Sequence, residues 1–282
     1  MEAERIDRKE YPSFGECIYC GAKAGDTELG DEHVVPFSLG GNAIILNASC
    51  KECAKETSKC ELELGRKILW DFRTHIGEQT RRPKDRPKEL PFTVSINSAP
   101  RETLTVRIED HPFFTPMPVW GKPGIIMGSQ PSAIFEVYKA HVFYWVPPNI
   151  RETLNLGDGD FAELPFAEFR IDHERYARAI AKIAYCQAVA FYGLHGFRRL
   201  VLPDLILGHY PNIPYFVGSP LVDPQPPTNP KIKHVVNISI VERSGQRLIL
   251  GEVRLFSNSG TVDHGSPTYQ VICGAPMLKR KL

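Results

Sequence analysis

The sequence contains no apolar run of about 18 residues, the length that a helix needs to cross a membrane. Its first ten residues are mostly charged and include no apolar core of the kind that secretory signals carry. An excess of one charge sign is also missing, because 34 basic and 33 acidic residues leave a formal net charge of +1. We therefore expect no membrane span, no secretory signal and a cytoplasmic location. Any contact with nucleic acid must depend on local basic patches.

Several motifs of nucleotide chemistry are absent as well. There is no GxxxxGK[ST] sequence for a phosphate-binding loop and no GxGxxG sequence for a dinucleotide site. The remaining histidines show neither HxxxH nor HxH spacing, so we expect structural or surface roles for most of them. No internal repeat or sustained low-complexity tract is present. These absences argue against a nucleotide-hydrolysing, Rossmann-type or repeat protein.

The composition and the spacing of apolar residues change near residue 80, which predicts two structural units. In the head, residues 53–76 carry apolar side chains at roughly helical spacing, with Gly77 as a plausible stop, and predict one helix. Residues 79–88 then hold five basic residues against one acidic residue, together with prolines that prevent a regular helix. We assign residues 1–78 to the head module and residues 79–90 to a basic, proline-rich linker.

The larger part, residues 91–282, predicts an α+β domain with mixed strands and one long helix. The helix is expected at residues 173–192, with Asp172 as its N-cap and Gly193 after its end. Proline-rich loops such as residues 222–230 interrupt the pattern. The predicted strands are residues 92–96, 103–108, 134–146, 234–242, 247–256 and 269–273. Target recognition, sensing and assembly all remain open as roles for this domain.

Four of the seven cysteines form two CxxC pairs near the start of the chain. The pairs are Cys17 with Cys20 and Cys50 with Cys53. A CxxC turn places two sulfurs on one ion, and a second such turn completes a closed tetrahedral zinc site. A closed site has no open position for water, so this metal would stabilise the fold without performing hydrolysis. Two unrelated pairs of buried or redox cysteines are the alternative interpretation.

His33 lies between the two pairs, and Glu32 directly precedes it. A lone histidine is more often structural than catalytic, so its neighbours decide the interpretation. Adjacent residues of a strand face opposite ways, and one of the two side chains could therefore ligate a divalent cation while the other stays free as a base. Pro36 and the Gly40-Gly41 pair favour a turn with close backbone approach.

The order CxxC, Glu-His-Val-Val-Pro, Ser-Leu-Gly-Gly, asparagine and a second CxxC leading into a helix resembles the HNH endonucleases. The resemblance covers about residues 15–65 and implies the ββα-metal fold, a β-hairpin and helix that grip a metal. It implies that His33 is the general base that deprotonates water and that Glu32 helps to hold the catalytic metal. It also implies that Asn47 orients the histidine ring, and the four cysteines match the zinc-bearing branch.

One position departs from that pattern. Most such sequences place asparagine or histidine directly after the last cysteine as a second metal ligand, but Ala54 stands there. Thr57, Ser58 and Glu61 follow at i+3, i+4 and i+7 and share its helix face. Thr57 and Glu61 resemble a branch of the family with threonine and glutamate at these helix positions. Either one of these residues replaces the ligand, or the site is degenerate.

The resemblance implies a metal-dependent endonuclease that hydrolyses phosphodiester bonds in DNA, with structural zinc and catalytic Mg²⁺ or Mn²⁺. The alternative is a zinc-dependent nucleic-acid-binding or regulatory protein on a catalytically decayed HNH scaffold. By analogy with other small nucleases joined to an extra domain, restriction or phage defence is the expected setting.

Basic residues that follow the predicted site are candidate contacts to phosphates. These residues are Arg66, Lys67, Arg73, Arg81, Arg82 and Lys84. For each of them a solvated helix face or a soluble linker is the alternative. Double-stranded DNA is the partner that we expect, and a homodimer is one oligomeric state that the sequence leaves open.

Overall fold

The head is built from a three-stranded sheet and the helix that follows it. The computed structural model of the chain describes residues 8–78, 80, 83–163, 170–220, 229, 231–258, 260–261 and 264–277. Strands β1 (Lys9–Tyr11), β2 (Leu29–His33) and β3 (Ala43–Cys50) pair in the order β1-β3-β2, with β2 antiparallel to β3. A 3₁₀ turn at Phe37–Leu39 joins β2 to β3, and α1 (Lys51–Leu62) follows directly. The predicted hairpin-and-helix head is thus present.

The sequence pattern predicted one α-helix for the segment after Cys53. The structure has two α-helices there, joined by a π-helical turn. Helix α1 continues into a π-helical turn at Glu63–Ile68, where the amide of Leu69 donates to the carbonyl of Leu64. A separate helix, α2 (Trp70–His75), follows, and Gly77 ends it in the left-handed region as expected. The extra residue in the π turn rotates the helix surface, which lets Leu64, Leu69 and Phe72 all reach the core.

The middle of the chain forms two small antiparallel sheets. Strand β4 begins inside the predicted linker, after a 3₁₀ turn at Pro83–Asp85, and pairs with β5 and later with β8. Strands β6 and β7 form a long hairpin. The elements of this region are β4 (Glu89–Ile96), β5 (Glu102–Arg107), β6 (Phe113–Trp120), α3 (Gly124–Met127), β7 (Val137–Trp145), α4 (Ile150–Thr153) and β8 (Ala162–Glu163).

The predicted long helix is confirmed as α5 (His173–Tyr192). The Asp172 side chain accepts a hydrogen bond from the Arg175 amide at 3.0 Å, and Gly193 ends the helix, as their positions in the sequence predicted. A glutamate in the first turn adds favourable charge at the N-terminus. Most of the helix surface is buried, because α5 packs between the head and the C-terminal sheet.

The C-terminal sheet has the strand order β10-β15-β12-β11, and β9 pairs with the end of β15. Its predicted strands are found within a few residues of their expected ends, whereas the proline-rich loop 222–230 falls largely outside the described residues. The elements are β9 (Phe197–Arg198), α6 (Leu202–Leu207), β10 (Val217–Gly218), β11 (Val235–Arg243), β12 (Gln246–Arg254), β13 (Gly260–Thr261), β14 (His264–Gly265) and β15 (Thr268–Pro276), with a 3₁₀ turn at Ile213–Tyr215. The chain therefore has the α+β fold that the sequence predicted.

The hydrophobic core crosses the proposed domain boundary at residue 78. One cluster of buried side chains joins Leu39 and Leu64 of the head to Ile183 of α5 and Val271 of β15. A smaller cluster lies under β4 and β5. No helix in the described part of the chain is both long and apolar enough to span a bilayer. The division into two domains stays a prediction, but the head is packed on α5 through a shared core.

Candidate active site

The two cysteine pairs converge on one point, as predicted. The four sulfurs of Cys17, Cys20, Cys50 and Cys53 all lie within 4.8 Å of one another, and the Cys20 and Cys50 sulfurs are 3.7 Å apart. A tetrahedral zinc with bonds of about 2.3 Å requires sulfurs about 3.8 Å apart. The hydrogen bond between the Cys53 and Cys17 sulfurs lowers the pKa of Cys17 and raises the pKa of Cys53, as expected of two close sulfurs that share a proton. The donor set and its spacing fit a closed structural zinc site.

The first cysteine knuckle is held by side chains from the distant C-terminal part. The carbonyl of Ile18 accepts hydrogen bonds from the Tyr185 hydroxyl and from Arg199, the latter at 2.8 Å. The hydroxyl of the neighbouring Tyr19 lies 3.4 Å from the Cys186 sulfur. These contacts fix the first cysteine knuckle against α5 and the segment after it. They join residues more than 160 positions apart, and no local sequence signal could identify them.

Glu32 and His33 lie on opposite faces of β2, in agreement with the alternation expected of a strand. Glu32 pairs with Ile45 in the β3 register and is buried, whereas His33 pairs with Ile44 and is partly exposed. The His33 ring packs edge-on against Phe37, with 5.7 Å between centroids. The Glu32 side chain therefore lies inside the protein, and the His33 side chain lies at its surface.

His33 borders a surface cleft of about 190 Å³. The other cleft residues include Arg8, Asn42 and the Gly40-Gly41 turn. Gly40 has φ 83°, and a side chain on Gly41 would collide with the Val35 carbonyl, because a Cβ atom there would lie 1.9 Å from its oxygen. Glycines are needed for this turn, which forms one wall of the cleft.

On the inner face, Glu32 and Glu61 share a buried lysine. The Lys182 ammonium of α5 lies 2.7 Å from Glu32 and 2.8 Å from Glu61, and it also donates to the carbonyl of His33. Burial lowers the pKa of a lysine, but the two carboxylates outweigh burial and raise the pKa of Lys182 above its ordinary value. Burial also raises the pKa of Glu32, and Lys182 opposes that shift.

The family resemblance implies a divalent ion on Glu32, with a residue of α1 as its second ligand. Glu61 does reach Glu32 from α1, but the ammonium of Lys182 fills the position between their oxygens. Thr57 is buried and donates its hydroxyl to the Ala54 carbonyl at 3.2 Å, and Ser58 is exposed. As folded, Glu32 and Glu61 therefore do not fit a divalent ion.

Asn47 lies at the irregular part of the hairpin, where the register of β2 and β3 shifts. Its backbone adopts φ 46°, and its amide donates to the Asp31 carboxylate at 3.1 Å. The side chain is exposed, and Asn47 is three residues along β3 from Ile44, the partner of His33. Its role in orienting the His33 ring stays a prediction.

The predicted phosphate contacts occupy different environments. Arg66 and Lys84 are exposed, and Lys67 is exposed but paired with buried Glu63 at 2.6 Å. Arg73 is buried, donates to the Gly65 carbonyl, and has its pKa lowered by burial. Arg81 and Arg82 lie outside the described residues. The contribution of Arg66, Lys67 and Lys84 to phosphate binding stays a prediction.

Lys182 is the site residue that sequence reasoning missed. A signal for it exists, because the stretch Ala-Ile-Ala-Lys-Ile-Ala places one lysine in the apolar face of a predicted helix. A buried lysine needs a carboxylate partner, so this position predicts an ion pair. The sequence could not indicate which of the 33 acidic residues is the partner.

Comparison with known proteins supports the resemblance in the head. Residues 17–74 match the family model described as HNH endonuclease. No curated protein and no solved structure matches the chain at a significant level. The matched segment contains both cysteine pairs, Glu32, His33 and the whole of α1. Residues 17–74 of this chain are therefore similar to the HNH endonucleases, and the cysteine cluster is consistent with the zinc-bearing branch of that family.

Proposed function

We propose that this protein is an endonuclease that hydrolyses phosphodiester bonds in nucleic acid, with His33 as the general base. The observation that carries the proposal is the position of His33 at a surface cleft inside the segment that matches the HNH family. The ring is partly exposed and lies beside the Gly40-Gly41 turn in the lining of the cleft. Arg8 lines the same cleft, where its guanidinium pairs with Asp31 at 3.1 Å and with Glu10 at 3.4 Å.

The proposed reaction begins when neutral His33 takes a proton from a water molecule. The water then attacks phosphorus in line with the departing 3′ oxygen. A neutral imidazole is a common general base in hydrolysis near neutral pH. Asn47 is proposed to orient the ring as the resemblance implies, and Mg²⁺ and Mn²⁺ are the activators to test. The conflict between such an ion and Lys182 favours a second candidate, described below.

Double-stranded DNA is the proposed substrate, in a restriction or phage-defence setting that rests on analogy alone. Arg66 and Lys84 are exposed cations that could contact phosphates, and combined removal of their charge should weaken DNA binding and flatten its dependence on salt. Arg73 is a poorer candidate, because its guanidinium is buried against the Gly65 carbonyl.

A second candidate function is nucleic-acid binding without cleavage, on a decayed nuclease scaffold. Lys182 favours it, because its ammonium fills the position between the two carboxylates that would hold a catalytic ion. In this case the zinc cluster and the cleft would still present a folded surface to nucleic acid. Binding would then persist while hydrolysis is absent.

The deciding experiment is a cleavage assay with Mg²⁺ and with Mn²⁺ on single-stranded DNA, double-stranded DNA and RNA. The His33→Ala variant should lose about 10²- to 10⁴-fold in rate, the contribution of a general base. The matched control is His209→Ala, since His209 is an exposed histidine beside Asp204 in the C-terminal part. Cleavage that is unchanged in His33→Ala would refute the mechanism.

Substrate binding measured in parallel separates the two candidates. If the wild-type protein binds DNA but cleaves none of the substrates, the binding function is supported. Chelation adds a further distinction, because removing Mg²⁺ or Mn²⁺ should stop hydrolysis while stripping zinc should unfold the head. Circular dichroism on the same samples reports which of the two has occurred.

A further inference from the structure

We infer that the Lys182 ammonium is a built-in cation that replaces a divalent metal ion between Glu32 and Glu61. The wild-type chain would then bind zinc at its cysteines and no second metal at this acidic pair. The inference bears on the proposed hydrolysis, because a chain that holds no ion at this pair cannot use Glu32 as the ligand of a catalytic metal. Mn²⁺ binding and cleavage are measured in separate experiments, so the failure of one is distinguishable from the failure of the other.

The hydrogen bonds of Lys182 are complete. An ammonium has three N–H donors, and the acceptors are Glu32, Glu61 and the His33 carbonyl. The distances of 2.7 and 2.8 Å to the carboxylates are those of charge-assisted hydrogen bonds. Lys182 is 1% exposed, so its ammonium is held inside the protein by these partners.

The same geometry is unsuited to a divalent ion. Mg²⁺ requires oxygen ligands at about 2.0 to 2.1 Å in an octahedron and usually keeps several waters. Glu32 is buried and Lys182 is nearly inaccessible, which leaves little space for those waters. A second cation on the same oxygens would also be repelled by the ammonium at short range. Metal binding here would therefore require Lys182 to leave.

The surroundings of Lys182 oppose such a movement. Its backbone is in the middle of α5, whose ends are set by Asp172 and Gly193. Around it, Ile180 and Ile183 are fully buried, and the Tyr19 hydroxyl lies beside Cys186 one turn further along the helix. Withdrawal of the ammonium would place its charge among apolar side chains, which is costly. Lys182 thus links β2, α1 and α5 through one buried charge.

The test is a Mn²⁺ titration of the zinc-loaded, full-length protein, followed by electron paramagnetic resonance of free Mn²⁺. The wild-type protein should bind no Mn²⁺ with a dissociation constant below about 1 mM. Lys182→Met keeps the length of the side chain but removes the charge, and it should bind one Mn²⁺ at least about tenfold more tightly. Adding Glu61→Gln to Lys182→Met should abolish that gain, and Lys182→Gln serves in its place if the methionine variant does not fold.

The matched control is Lys59→Met. Lys59 is also a helical lysine paired with a glutamate, at 2.7 Å from Glu56, but it is 47% exposed. Its removal should leave Mn²⁺ binding at the wild-type level. The inference is overturned if wild-type protein binds one Mn²⁺ that Glu61→Gln removes. It is equally overturned if neither Lys182 variant gains a Mn²⁺ site.

Discussion

The buried lysine makes a quantitative prediction about stability. In Lys182→Met the ammonium is lost, while Glu32 and Glu61 remain with side-chain exposures of 8% and 26%. Removing one partner of a buried ion pair costs about 3 to 5 kcal/mol, because the other charge stays uncompensated. Glu61 keeps part of its hydration, so we expect the lower end, about 3 kcal/mol. This corresponds to a fall in melting temperature of about 6 to 12 °C.

The assay is urea unfolding at pH 7.5 with zinc in excess, followed by circular dichroism. Lys59→Met should unfold at the wild-type urea concentration, since exposed ion pairs contribute little to stability. Adding Glu32→Gln to Lys182→Met should recover part of the loss, because a buried charge is then removed. If Lys182→Met is as stable as Lys59→Met, the ammonium is not held between the carboxylates and the reasoning is refuted.

Three further predictions concern other parts of the molecule. Burial lowers the pKa of His234 to about 4, so its neutral ring stabilises the fold fully above pH 6.5, and this contribution is lost as pH falls towards 4. At pH 5 the loss amounts to about 2 kcal/mol, and in His234→Gln the pH dependence of urea unfolding should be flatter. Gly41→Ala should destabilise the head by at least about 1 to 3 kcal/mol, because its Cβ would overlap the Val35 carbonyl. Gly25→Ala is the control, because a Cβ at Gly25 meets open space and should leave stability unchanged. Thermal denaturation compares the two variants. Cys20→Ser should lower the zinc content per chain and the melting temperature together, and metal analysis that finds full zinc retention would contradict a four-cysteine site.

The correct sequence predictions are those that depend on neighbours along the chain. The N-cap at Asp172 and the stop at Gly193 act within one helical turn, and both are confirmed. The two CxxC pairs predicted a metal cluster, because each CxxC turn positions its own two sulfurs. Alternation in β2 also predicted that Glu32 and His33 face opposite ways, which needs only the period of a strand. The fold decided that Glu32 is the buried one of the two.

The predicted single helix over residues 53–76 was wrong for a reason that is not local. Gly65 approaches the head turn closely, since a Cβ there would lie 3.0 Å from the Ser38 hydroxyl. The π turn at Glu63–Ile68 and the break at Leu69 change the direction of the helical segment, so that its apolar side chains stay in contact with the core. Helical periodicity reports apolar spacing, but it does not report which neighbour the apolar face must meet.

The sequence alone determined the four-cysteine cluster, the hairpin that carries His33, and the resemblance of the head to HNH endonucleases, because each depends on residues close together in the chain. Only the tertiary structure decided what fills the position between Glu32 and Glu61. Lys182 lies about 150 residues from Glu32 and reaches it because α5 packs against α1. A buried charge pairs with whichever counter-ion the fold brings next to it. A sequence pattern does not show which distant residues the fold brings together.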